Sequence, residues 1–230
     1  MVYSFSNKGG RTSNQDFLFS KSINSNCNLY MVVDGMGGYE FGDIASKLVA
    51  ENIYTYLSTV KEINEKEIQK AVNKSNLVIK QKSQDFDAKI GATLAGIIVV
   101  DNLAYFFWVG DVKIIFIRNK EIFFESHSHT LINQMIENGN LITNLDRYKH
   151  IVTRSISGKI KDGIIECYSS NLLKEDLVVI YSDGVSDILD SYQINHVFKS
   201  SDSVLGGVNK VESLCRTNAK DNFSMTVIHI

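Results

Sequence analysis

The sequence contains no proline, and it has only three cysteines among its 230 residues. Cys27, Cys167 and Cys215 lie far apart and form no Cys-x-x-Cys pair, which argues against a disulfide framework and against a zinc knuckle. Without proline, the turns must be built from Gly, Asn, Asp and Ser. This cysteine usage is typical of a reducing compartment, so we expect a cytoplasmic protein.

Long apolar runs and an excess of positive charge are also missing. No stretch approaches the roughly 20 apolar residues that a membrane-spanning helix needs, and the first residues show no signal-peptide pattern. The formal net charge of −2 provides no basic field. We therefore expect neither membrane nor nucleic acid as a partner. Because no linker or repeat is visible, we expect one domain over residues 1–230, and we expect a monomer.

Apolar residues recur at helical spacing in two long stretches, which predicts helices over residues 41–57 and 64–83. Shorter helices are predicted over 130–138, 191–198 and 203–216. Strands are predicted over 2–6, 17–23, 29–33, 163–169, 177–182 and 223–230. The polar segment 139–162 is expected to be irregular and exposed.

Four apolar runs separated by two-residue turn signals follow residue 92. They cover 93–100, 103–109, 112–118 and 121–125, and this pattern predicts a β-meander. The runs are too apolar to leave one face in water. We therefore expect a sheet that is covered on both faces.

The strand over residues 29–33 ends at an aspartate that glycines follow. Because glycine tolerates sharp turns, the chain could present the Asp34 carboxylate and the Gly35 carbonyl together. Two adjacent oxygens suit a hard divalent cation. A plain strand-to-helix turn with a solvated aspartate explains this motif equally well when it is considered alone.

Further acidic turns occur at the ends of other apolar strands, at Gly110-Asp111, Asp183-Gly184 and Asp221-Asn222. Each one is ordinary, but their repetition predicts carboxylates gathered at one edge of a sheet. Clustered carboxylates repel one another and call for cations. A ligand set made only of oxygens favours Mg²⁺ or Mn²⁺ over zinc.

Six blocks carry a family resemblance: RTSNQD, VVDGMGGYEFGDIAS, GATL, WVGDVKIIFIR, YSDGVSD and DNFSMTV. In order and spacing they resemble the PPM family, the metal-dependent type-2C Ser/Thr protein phosphatases, in the compact form of bacterial members. The resemblance implies an α+β fold, a four-layer α-β-β-α sandwich with two central antiparallel sheets flanked by helix pairs. It also implies hydrolysis of phosphoserine and phosphothreonine proteins, opposite a partner Ser/Thr kinase.

The resemblance further implies two Mn²⁺ or Mg²⁺ ions per chain and a bridging hydroxide that attacks the phosphate directly. Asp34 would bridge both metals, and the Gly35 carbonyl would bind one of them. Asp183 and Asp221 would hold the other. Asp111 would share a third, weaker ion with Asp183.

The same resemblance assigns supporting roles. Arg11 would clamp the substrate phosphate, which its planar guanidinium suits. Asp16 would support the metal shell, and Gln15 would act through water. Asn222 is expected beside the site, together with Thr93 and Asp187, either behind the metal ligands or in turns, and for these three we favour the structural role.

The chain departs from the family pattern at several positions. Gln15 replaces the usual Glu, and Tyr39 stands where a histidine often follows the glycines. His127 and His129 are expected to lie at the surface, and His150 is expected to be structural. A pseudophosphatase that binds phosphoproteins or partners without useful turnover is the chief alternative, and a two-metal phosphoesterase that acts on a nucleotide or nucleic acid is a weaker one.

Overall fold

The computed structural model describes residues 1–36, 41–139, 148 and 150–230. The strands are β1 (Val2–Asn7), β2 (Asp16–Asn24), β3 (Cys27–Gly35), β4 (Ala92–Val100), β5 (Leu103–Val109), β6 (Lys113–Arg118), β7 (Glu121–Glu125), β8 (Glu166–Asn171), β9 (Leu177–Tyr181) and β10 (Phe223–His229). The helices are α1 (Gly42–Leu57), α2 (Glu65–Asp85), α3 (Leu131–Glu137), α4 (Asp183–Ser186), α5 (Ser191–Lys199) and α6 (Val204–Asn218), and a 3-10 turn covers Ile160–Gly163.

The strands form two antiparallel five-stranded sheets. Sheet A has the order β1-β10-β9-β6-β7, and sheet B has the order β2-β3-β4-β5-β8. Three separate apolar layers hold the elements together: one between sheet B and the α1–α2 pair, one between sheet A and the α5–α6 pair, and one between the two sheets. The predicted α-β-β-α sandwich is therefore confirmed.

Strand β9 shows why its sequence is apolar without a break. Leu177, Val179 and Tyr181 pack in the layer under α5 and α6, whereas Val178 and Ile180 pack between the sheets. Successive side chains of a strand point to opposite faces. A strand buried on both faces must therefore be apolar at every position, as the expectation of a sheet covered on both sides required.

The predicted β-meander is wrong, because β5 lies in sheet B and β6 lies in sheet A. The β6–β7 turn has positive φ angles at Asn119 (52°) and Lys120 (64°), as a tight hairpin requires. The connection at Gly110 and Asp111 instead crosses from one sheet to the other. A two-residue polar break looks the same in sequence for both cases.

Two further predictions need correction or lie beyond what is described. The strand predicted over 163–169 is β8 and covers 166–171, because a 3-10 turn extends to Gly163. Tyr39 and much of the polar segment 139–162 fall outside the described residues. Among the helices in the described ranges, none is long and apolar enough to cross a membrane.

The layer between the sheets yields a stability prediction. Phe116 is fully buried there, and its ring stacks on Phe106 with a centroid distance of 5.4 Å. Phe116→Ala should lower the free energy of unfolding by about 3–5 kcal/mol, because burial is lost and a cavity remains. Urea denaturation measures this loss. Phe123→Ala is the matched control, since Phe123 is 52% exposed on the neighbouring strand. Equal losses in both variants would contradict the layered core.

Candidate active site

An open cleft of about 820 Å³ lies where ends of strands from both sheets meet. Asp34 at the end of β3 and Thr93 at the start of β4 reach it from sheet B. Asp183 follows β9 and Asp221 precedes β10, so both reach it from sheet A. Asp111 enters from the connection between the sheets. The predicted gathering of acidic turns therefore exists, and it draws on two sheets.

Close backbone packing explains the glycine after Asp34. A Cβ atom at Gly35 would lie 2.1 Å from the carbonyl oxygen of Gly42, at the start of α1. The Gly35 N–H donates to the carbonyl of Gln15 at 3.1 Å. Position 35 is thus wedged between α1 and the loop before β2. Only a residue without a side chain fits there.

The pKa values of the desolvated cleft carboxylates are raised. Although Asp34 keeps some exposure to the cleft, desolvation raises its pKa well above the ordinary value, and repulsion from Asp16 adds to the rise. The pKa of Asp183 is also well above its ordinary value. Desolvation is the largest cause, and repulsion from Asp111 is the second. Such groups bind either protons or a cation.

Asp16 lies beneath the cleft rather than in its lining. It is 9% exposed and pairs with Asp34 across β2 and β3. Its Oδ2 accepts a hydrogen bond from the Ser182 hydroxyl at 2.8 Å, whereas its buried Oδ1 has no hydrogen-bond partner among the described residues. Burial raises the Asp16 pKa to about 6. Sequence reasoning missed Ser182, although it directly precedes the Asp183 turn.

Arg11 lies at the cleft, and its guanidinium grips Asp221. Its Nε donates to Asp221 Oδ1 at 2.8 Å, and its Nη2 donates to Oδ2 at 2.5 Å. This is the bidentate arrangement that guanidinium groups form with carboxylates and phosphates. The Arg11 side chain remains 50% exposed. The sequence predicted that both residues belong to the site, but it did not predict their contact.

Asn222 ties the loop that carries Arg11 to β10. Its side-chain Oδ1 accepts from the Gln15 N–H at 2.9 Å. Its Nδ2 donates to the carbonyls of Lys8 and Ser13 at 2.9 and 2.8 Å. The structural role favoured for Asn222 is thus a three-bond clasp. The Gln15 side chain is packed against Gly42 and, like Asp16, does not line the cleft.

Asp111 is oriented by a side chain that the sequence suggested only weakly. The Thr93 hydroxyl donates to Asp111 Oδ1 at 3.1 Å. Desolvation raises the Asp111 pKa, and this hydrogen bond opposes the rise. His150, expected to be structural, lines the cleft with its Nε2 3.9 Å from a carboxylate oxygen of Asp187. The surface role expected for His129 is wrong, because that side chain is buried.

The donor chemistry of the cleft fits a hard divalent cation. The candidate ligands are carboxylates and one backbone carbonyl, and the pKa values of Asp34 and Asp183 are raised by desolvation and then by repulsion. Beneath the cleft, Asp16 Oδ1 is buried without a hydrogen-bond partner among the described residues. The side chains as they lie do not form a closed ligand set. Within the described ranges, no three His, Cys, Asp or Glu side chains are grouped to hold a metal. Both carboxylate oxygens of Asp221 accept hydrogen bonds from Arg11.

The raised acidic pKa values predict how stability depends on pH. In EDTA, the free energy of unfolding should rise as the pH falls from about 7 to about 5, because the folded state then binds more protons than the unfolded chain. The stabilisation is lost as the pH rises through the folded-state pKa values, including about 6 for Asp16. Asp16→Asn should flatten this slope, and the exposed control Asp202→Asn should not. Stability that falls steadily on acidification over this range would contradict the prediction.

Comparison with known proteins places this geometry in a family. The model of the protein phosphatase 2C family matches residues 6–220. Protein phosphatase PhpP of Streptococcus pneumoniae is 28% identical over 232 residues, which cover 95% of this chain and 92% of PhpP.

Two solved structures share the fold. The serine/threonine phosphatase of S. agalactiae has a TM-score of 0.88 and 24% identity, and the match covers 100% of this chain and 99% of that one. The catalytic domain of the phosphatase PstP, solved with 2 manganese ions, has a TM-score of 0.82 and 20% identity, with 99% and 96% covered. Since the family model spans nearly the whole sequence, the chain belongs to the protein phosphatase 2C family of phosphoprotein phosphatases.

Proposed function

We propose that this phosphatase removes phosphate from phosphoserine and phosphothreonine in proteins, with two Mn²⁺ or Mg²⁺ ions in the cleft. The observation that carries the proposal is the convergence of Asp34, Asp111, Asp183 and Asp221 on one cleft that also contains Arg11. The S. agalactiae relative is named a serine/threonine phosphatase, and the PstP structure holds manganese, which supports both parts.

We propose that the metal ligands are Asp34, the Gly35 carbonyl, Asp183 and Asp221, with Asp111 and Asp183 at a third, weaker site. When bound, such ions stabilise charge on phosphate oxygens and lower the pKa of water. The protein supplies the arrangement. Its two sheets bring the carboxylates together, and Thr93 orients Asp111 through a hydrogen bond of 3.1 Å.

Arg11 is proposed to bind the substrate phosphate. In the structure its fork engages the Asp221 carboxylate, which presents two oxygens much as a phosphate does. The loop that carries Arg11 is held by the Asn222 clasp, so the guanidinium is kept at the cleft in either case. Asp16, bonded to Ser182, supports Asp34 from beneath.

The biological setting is proposed on family grounds. A protein Ser/Thr kinase is expected to supply the phosphorylated substrates, because phosphatase substrates must be made by such a reaction. The monomeric state, the cytoplasmic location and the single-domain organisation stay predictions. Gel filtration of the purified chain tests the first of these directly.

A pseudophosphatase is the second candidate, and one observation favours it. The Arg11–Asp221 pair engages both a proposed substrate contact and a proposed metal ligand. If this pair persists when metal and phosphate are present, the cleft can bind a phosphoprotein partner without turning it over. A turnover assay separates the two candidates.

Metal dependence is the first test of the proposed function. The purified protein should hydrolyse p-nitrophenyl phosphate and a phosphothreonine peptide when Mn²⁺ or Mg²⁺ is added, and activity should disappear in excess EDTA. The reason is that crowded carboxylates need a cation before an anionic substrate can approach. Full activity in EDTA would refute the metal proposal. Peptide binding without turnover at saturating Mn²⁺ would identify the pseudophosphatase.

The second test concerns Arg11. Arg11→Lys keeps the charge but loses the fork, so kcat/KM for the phosphothreonine peptide should fall by about 10- to 100-fold, as expected for a charge-assisted hydrogen bond worth about 1.5–3 kcal/mol. Arg216→Lys is a matched control, because Arg216 makes a similar two-nitrogen contact with Glu212 on the exposed face of α6. Unchanged kcat/KM in Arg11→Lys would remove Arg11 from the substrate site.

A further inference from the structure

The two peptide groups on either side of Gly110 are both bonded by one histidine. The Gly110 N–H, in the Val109–Gly110 peptide, donates to the ring Nδ1 of His129 at 3.0 Å. The backbone N–H of His129 donates in turn to the Gly110 carbonyl, in the Gly110–Asp111 peptide, at 2.7 Å. His129 is only 7% exposed, so water competes little for these bonds. Both polar groups of one glycine are therefore satisfied by residue 129.

This contact determines which ring nitrogen of His129 carries the proton. A backbone N–H can only donate, so Nδ1 must accept and must be unprotonated. The hydrogen of the neutral ring is then on Nε2, where it donates to Glu166 Oε1 at 3.0 Å. Arg154 Nη1 lies 3.1 Å from the same oxygen and 3.2 Å from His129 Nε2. Because a guanidinium can only donate and Nε2 carries the ring hydrogen, Arg154 donates to the carboxylate and helps to hold it in place. Burial lowers the His129 pKa, in agreement with a neutral ring.

Gly110 occupies the point where the chain crosses from sheet B to sheet A. Its φ angle is +103°, a conformation that residues with side chains rarely adopt. A Cβ atom at this position would lie 2.2 Å from Thr93 Cβ. Because Gly110 immediately precedes Asp111, the backbone conformation of Gly110, which these two bonds fix, sets the direction in which the Asp111 side chain leaves the chain.

We propose that His129 is a positioning residue for the phosphatase reaction: its Nε2-protonated ring fixes the backbone of Gly110 through the Gly110 N–H and thereby aims the Asp111 carboxylate into the cleft. The inference rests on the proposed role of Asp111. His129 does not line the cleft, so it acts through Gly110. Thr93 then fixes the carboxylate itself, while Ser128 Oγ lies 3.4 Å from the Asp111 carbonyl oxygen.

A set of substitutions separates positioning from a merely structural role. His129→Ala should lower kcat on the phosphothreonine peptide at saturating Mn²⁺ by about 10- to 100-fold, the usual cost of losing a supporting partner at a metal site. KM should change little, because Arg11 is untouched. Asp111→Ala should show a loss of similar size. The exposed neighbour His127 provides the control, and His127→Ala should keep the wild-type kcat.

A sharper test asks whether another side chain at position 129 that can accept the Gly110 N–H restores kcat. In His129→Asn, the amide oxygen can occupy the place of Nδ1 and accept the Gly110 N–H, so most of the lost kcat should return. In His129→Gln, the amide oxygen lies one bond further from the backbone, and kcat should stay low. Thermal melts of all variants report folding separately. If kcat per folded molecule is the same in the Ala, Asn and Gln variants, the proposal is overturned.

Nuclear magnetic resonance of the wild-type protein tests the contact without any activity. The ring nitrogens of His129 should show the Nε2-protonated tautomer, and a coupling through the hydrogen bond should link Gly110 N to His129 Nδ1. A proton on Nδ1 would overturn the proposal even if the variants are unstable. Wild-type protein without Mn²⁺-dependent turnover would instead refute the proposed function. Wild-type turnover together with full turnover in His129→Ala would refute the role of His129 alone.

Discussion

The burial of several carboxylates together at one end of two packed sheets is the constraint on which the rest of this structure depends. Desolvation and mutual repulsion raise the pKa values of Asp34 and Asp183 well above their ordinary range. Arg11 forms its two hydrogen bonds with Asp221 and reaches Asp183 and Asp34 through longer-range attraction. The sandwich holds these carboxylates in place through three apolar layers that do not involve the cleft. The free energy of these apolar layers thus offsets the cost of burying several carboxylates together before a cation binds.

The fold could be predicted to the extent that it depends on local patterns. Helical periodicity located α1 and α2, and continuous apolar runs located strands buried on both faces. The assignment of strands to sheets could not be predicted in this way. The break at Asn119 is a hairpin turn and the break at Gly110 is a crossing between sheets, although both read as two polar or small residues between apolar runs. Which strands pair is decided by packing across the whole domain.

The site was predictable as residue types but not as contacts. Strand ends and family blocks pointed to the acidic residues, yet Arg11 pairs with Asp221 across 210 positions and Ser182 bonds Asp16 across 166 positions. Contacts at such separations leave no periodic signal in one sequence. The sequence favours a surface role for His129, whereas the structure buries its side chain among polar neighbours. These buried neighbours have structural partners of their own: Ser126 accepts the Ile114 N–H in β6, Ser128 lies 3.4 Å from the Asp111 carbonyl, and Thr130 caps α3 by accepting the Asn133 N–H.

The same contacts explain why Gln15 can replace the family's usual Glu without dismantling the cleft. The backbone of Gln15 forms two hydrogen bonds that do not depend on its side chain. Its carbonyl accepts the Gly35 N–H, and its N–H donates to the Asn222 side chain. Its amide is packed against Gly42, away from the cleft lining. The exchange at position 15 therefore leaves in place the two backbone hydrogen bonds that tie the loop to Gly35 and Asn222, so its expected cost does not fall on the fold.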